Sequence, residues 1–238
     1  MPVVILIYII LALLAFISTV SFLISYRKTK NIDILKLSWP FFFIMCYNFL
    51  MGVPALFTQE PSVLAWSLFF GLVAVFLSIL SAYRLPIFEK SPVFGRAAPF
   101  LIILSIVVAF IVLTLEFFDP ELPRILESGL IEWNIEKTGA LLLGSLCFFT
   151  GLSWGFLFLK NSRLASNQRS RLKVYVLAGD GILFGIAGFV YFFSQGQRET
   201  IIAHLIMVIA LSFTAVVFAK ARLSEKEETL DSAENPSI

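Results

Sequence analysis

LKVYVLAGDGILFGIAGFVYFF, residues 172–193, decides how the rest of the chain is read. At 1.5 Å rise per residue its length matches the ~30 Å of a hydrocarbon layer. Several residues inside this apolar run stands Asp180, between Gly179 and Gly181. A carboxylate at the centre of a membrane helix costs roughly 2.5–3.5 kcal/mol on insertion scales. It must therefore face protein or water, not lipid. The flanking glycines let neighbouring helices approach closely enough to shelter it.

The same apolar character extends outward in both directions. Of 238 residues, 59% are hydrophobic and only 14% charged, against about 25% charged in soluble domains. Seven long apolar runs can be drawn, near residues 2–25, 35–57, 62–83, 97–118, 139–159, 172–193 and 200–219. The expected fold is all-α: a polytopic integral membrane protein of seven transmembrane helices in one bundle over residues 1–221. A polar tail, residues 222–238, is expected to be disordered. The first run is too long for a signal-peptide core and no basic residue precedes it, so it reads as an anchor.

Charge sets the expected orientation. Arg27, Lys28, Lys30 and Lys36, then Arg84, Lys90 and Arg96, then Lys160, Arg163, Arg169, Arg171 and Lys173, then Lys220, Arg222 and Lys226 fall in alternate connections. The opposite connections hold only Arg124, Lys137 and Arg198. The positive-inside rule then puts the N-terminus outside and the C-terminus in the cytoplasm of a plasma-membrane protein. The segment 160–173 is the most basic, and anionic lipid headgroups are its expected contact.

Small residues predict the helix contacts. Gly144, Gly151 and Gly155 share a face of the fifth run, and Ala178, Gly181, Gly185 and Gly188 a face of the sixth. These two spans should cross closely. The third run carries Ser67, Gly71, Ala74, Ser78 and Ser81 on one face, which makes it the expected third partner. The long connection 119–139 has apolar Leu126, Leu130, Ile131, Trp133 and Ile135 among acids, a pattern for a short interfacial helix or lid.

Candidate site residues follow from depth. Asp180 lies roughly 10 Å inside the basic boundary. Ser18, Ser78, Thr150, Ser153, Ser212 and Thr214 fall near that level and could donate to it. Tyr47 and Asn48 are polar groups deep in the second span, suited to interhelical bonding or ligand contact. Glu116 and His204 fall at similar depth near the opposite boundary and form a second candidate pair. Two cysteines, Cys46 and Cys147, and one histidine give no disulfide framework and no metal-ligand set. No cofactor and no nucleic-acid partner is expected. A partner subunit or a second copy is.

Several resemblances were weighed against particular residues. The span count and orientation resemble microbial rhodopsins, but the last span has no lysine before Lys220 to form a retinal Schiff base. The count also resembles the seven-span sensor regions that precede histidine kinases, and sugar transporters whose Pro-Gln signature is absent here. Leu177-Ala178-Gly179-Asp180 partly resembles the GxGD motif of intramembrane aspartyl peptidases, without its first glycine. That chemistry needs a second carboxylate sharing a proton, for which Asp33 is the candidate. The expected function is non-enzymatic: a receptor-like or accessory membrane protein that binds a lipid, small ligand or partner within the bundle. A proton- or cation-coupled transporter or channel using Asp180 is the alternative.

Overall fold

The computed structural model describes residues 3–92, 94–118, 122–125, 131–165, 167–194 and 197–234. They form helices α1 (Val3–Thr29), α2 (Ile32–Gly52), α3 (Pro54–Phe57), α4 (Pro61–Tyr83), α5 (Pro86–Glu89), α6 (Phe94–Phe118), α7 (Lys137–Asn161), α8 (Gln168–Ser194) and α9 (Gln197–Glu234). A 3₁₀ turn, Ser162–Leu164, joins α7 to α8. Seven helical stretches are long and apolar enough to cross a membrane, the make-up of a multi-pass membrane protein. They match the seven expected runs to within about a turn.

The long helices pack in a closed ring that follows chain order. α1 packs on α2, α2 on α4, α4 on α6, α6 on α7, α7 on α8, α8 on α9, and α9 back on α1. α6 is the peripheral strut: 22% of its most apolar window is buried, against 39–50% for the others. Phe100, Ile103 and Phe110 project outward from it.

The expected glycine crossing is the tightest contact in the ring. A Cβ on Gly151 would collide with the Gly181 carbonyl oxygen and the Gly185 Cα. A Cβ on Gly181 would collide with the Trp154 indole. Only glycine permits these backbones to come so close.

The small-residue face of α4 behaves differently from expectation. It turns to α2, not to the α7–α8 crossing. Gly71 packs under Met51 and Tyr47, Ser67 Oγ donates to the Leu50 carbonyl, and Ser78 Oγ donates to the Pro40 carbonyl at 3.1 Å. Pro54 has no N–H to give the carbonyl four residues back, so Leu50 needs a donor, and Ser67 supplies it.

The connection after α6 also differs. Arg124–Ile125 (β1) and Ile131–Glu132 (β2) pair antiparallel, with Arg124 opposite Glu132 and Ile125 opposite Ile131. Leu126 and Leu130 lie outside the described residues. Ile131, Trp133 and Ile135 are buried, so this run alternates like a strand and closes one end of the ring. α9 continues to Glu234, past residue 222 where a disordered tail was expected. No proline falls within α9, and Ala, Leu, Lys and Glu favour helix.

Glu136 caps α7. Its Oε2 accepts from the Gly139 N–H at 2.7 Å, and its own N–H donates to Glu116 Oε1 at 3.0 Å. The Thr138 and Gly139 N–H groups hold its carboxyl below the usual value of 4.5. A lowered folded-state pKa gives stability that is present above 4.5 and lost as pH falls through the lower value. Glu136→Ala should lower unfolding stability at pH 7 by about 1 kcal/mol. The deficit should vanish in denaturant titrations carried out below the folded-state pKa.

Candidate functional site

A half-open cavity of about 130 Å³ lies inside the ring, walled by α2, α4, α7, α8 and α9. Its walls are overwhelmingly apolar. α4 and α7, which flank it, touch only lightly. Five candidate residues from the sequence line it: Asp180, Asn48, Tyr47, Ser78 and Thr150. A sixth, Thr214 of α9, reaches Asp180 from behind. Ser153 is half-buried and is not one of the lining residues.

Asp180 is 2% exposed. Thr214 Oγ1 donates to its Oδ2, and its Oδ1 takes no donor among the described residues. No lysine or arginine pairs with it there. Lys173, the nearest basic residue along α8, lies over the Phe218 ring, 5.9 Å from its centroid. Three of the other hydroxyls expected near the acid are committed elsewhere. Ser18 donates to the Leu14 carbonyl at 3.0 Å, Ser78 to Pro40, and Thr150 bonds the Tyr83 hydroxyl at 2.7 Å. Carbonyls one turn back are the nearest acceptors for helical hydroxyls, and this competition leaves one donor for the carboxylate.

Asn48 carries the second unusual atom. It is fully buried at the cavity wall. Its Nδ2 donates to the Ile44 carbonyl at 2.8 Å, which fixes the amide orientation, since a flip would set oxygen against oxygen. Its Oδ1 is left with no partner. Buried polar atoms rarely stay unsatisfied without a reason.

Residues that sequence reasoning missed complete the site. Trp154 Nε1 donates to the Leu177 carbonyl at 2.7 Å, which lays its indole along the wall. At the end closed by the strand pair, Trp133 Nε1 donates to the Tyr8 hydroxyl at 3.1 Å. The Tyr8 hydroxyl in turn bonds that of Tyr191 at 3.0 Å. Tyr47 and Tyr191 border the cavity, so this chain ends on it. The available signal was tyrosine and tryptophan inside apolar runs, whose polar tips require partners when buried. Trp133→Phe should keep the ring and remove one donor, lowering stability by about 1 kcal/mol in chemical unfolding. Equal stability would mean that the contact contributes nothing.

The expected Glu116–His204 pairing is not how the structure uses these residues. Glu116 receives the Glu136 N–H. His204 Nδ1 lies 2.6 Å from the Thr200 carbonyl, and its ring packs edge-on against Tyr8 and Tyr191, at 4.6 and 5.4 Å between centroids. The two helices differ in place: α6 is the outer strut, while α9 lies against α1 and α8. The carboxylates Asp33 and Asp180 are likewise not brought together. Asp33 pairs with Lys90 at 3.7 Å, in a separate recess bordered by Lys160 and Asn161.

Compared with known protein families, with curated proteins and with solved structures, the chain matches none of them.

Proposed function

We propose that this chain is a non-enzymatic membrane protein, receptor-like or accessory, that binds a lipid, small ligand or partner within the ring. One observation carries the reading: a largely apolar cavity with a buried carboxylate that has no basic partner among the described residues. Ligand sites are typically apolar hollows with a few placed polar groups. The reading includes an N-terminus outside, a cytoplasmic basic end and a plasma-membrane location, from the loop charges. It also includes anionic headgroups along 160–173 and a partner subunit or second copy of the chain.

Filling the cavity tests it. Ser78→Phe places a ring in the space that Ser78 borders. Wild-type protein purified from membranes should retain a small molecule detectable by mass spectrometry, and the filled variant should not. Identical small-molecule content in the two would remove the proposal.

The lone carboxylate also favours a second reading, proton- or cation-coupled transport. Proteoliposomes decide between them. The receptor-like reading expects no proton or sodium flux above empty vesicles. Flux that is present in wild type and lost in Asp180→Asn would replace it with the transport reading.

A further inference from the structure

We infer that the cavity selects a ligand bearing an organic ammonium group on an apolar body about one ring in size. This deepens the proposed function and rests on it. The argument starts from what the polar wall atoms can do. Asn48 Oδ1 is an acceptor, and so is Asp180 Oδ1 when the carboxyl is ionised. Neither has a protein donor among the described residues. An occupant that satisfies them must bring hydrogens, and a carboxylate or a carbonyl ligand brings none.

Both acceptors belong to residues that line one cavity, so one guest can face the two. Phe41 packs on Trp154 with ring centroids 6.4 Å apart, and Trp154 bonds Leu177. These contacts set Phe41 and Leu177 at a common level. Counting along α2 to Asn48 and along α8 to Asp180 at 1.5 Å per residue offsets the two residues by roughly 6 Å along the helix direction. That is the span of a small molecule.

Charge narrows the class further. A buried carboxylate without a counter-ion is costly, and an ammonium supplies the missing charge along with several donors. The aromatic faces of Phe41, Tyr47, Trp154 and Tyr191 around the space suit a cation. Size sets the body: an engineered apolar cavity of about 150 Å³ takes up benzene, and this one offers about 130 Å³ with an open side.

Three one-ring probes test the class: 2-phenylethylamine, 2-phenylethanol and 3-phenylpropionate. Binding is measured by titration calorimetry on protein in lipid nanodiscs, in an amine-free buffer. The amine should bind saturably and at least about tenfold more tightly than the alcohol, a ratio worth about 1.4 kcal/mol. The acid should not bind. Asp180→Asn, which keeps an oxygen for Thr214, should erase the amine's advantage over the alcohol. Asn48→Leu should weaken amine and alcohol together. Equal binding of amine and alcohol by wild type overturns the ammonium class while leaving a ligand cavity in place. That ratio is read on wild type and does not depend on the variants folding. Absence of saturable binding by every probe also overturns the class. Whether the cavity reading falls with it is then decided by the co-purified molecule and its loss from Ser78→Phe.

Discussion

Gly151→Ala should unfold well below wild type, and Gly151→Leu should fail to yield folded protein. The added Cβ at residue 151 would meet backbone atoms of Gly181 and Gly185, not a movable side chain. Relief requires α7 and α8 to separate along their crossing. Overpacking of this kind costs about 1–3 kcal/mol for one carbon and more for a larger group. Two other glycines serve as internal controls. A Cβ on Gly155 would meet Ile182 Cγ1 and, at 3.0 Å, the Ala178 carbonyl oxygen; only one of these is backbone, so Gly155→Ala should cost less than Gly151→Ala. A Cβ on Gly179 meets nothing within 4 Å. Gly179→Ala should therefore be neutral or stabilising by up to about 1 kcal/mol, the helix preference of alanine over glycine. Thermal unfolding of the three variants in one detergent checks the order 179, 155, 151. If Gly151→Ala tracked Gly179→Ala, the close crossing would be wrong.

The second large effect is expected at Trp154. Its side chain is buried, covers Gly181, packs on Phe41 and Phe158, and donates to Leu177. Trp154→Ala should lower stability by about 3–5 kcal/mol, the usual range for emptying a large aromatic site. Trp154→Phe separates the two contributions. It keeps most of the packing and loses the N–H, so it should cost about 1 kcal/mol. The alanine variant should also admit larger apolar guests than wild type. An alanine variant as stable as the phenylalanine variant would mean that the wall collapses around the space, and the cavity's shape would then not depend on the indole.

Much of this architecture could be read before any coordinates. The seven helices declare themselves because an apolar run of sufficient length has few other uses. Gly151 and Gly185 are legible for a similar reason: glycine is a poor helix former, and its repetition on one face calls for close packing. The burial of Asp180 follows from the cost of its charge. What stayed hidden depends on partners distant in sequence. Ser67 of α4 bonds the Leu50 carbonyl, which Pro54 leaves without its helical donor, a fact that concerns a different helix. Of six hydroxyls expected near Asp180, Thr214 is the one that bonds it, while Ser18 and Ser78 bond carbonyls and Thr150 bonds Tyr83. The strand-like run at Ile131, Trp133 and Ile135 is too short for its period to stand out against a helical pattern. The Tyr8–Tyr191 bond joins opposite ends of the chain, and nothing local announces it.

The acid on the sixth long helix receives its single hydroxyl from the seventh, and the first helix touches that same seventh one. During synthesis the ring therefore stays unsealed until α9 leaves the ribosome. A nascent chain arrested before Thr214 would carry a half-sheltered carboxylate and an open seam beside α1. Such a fragment is what intramembrane quality control is built to recognise, so early stop codons here should yield rapid turnover, not a shortened functional product.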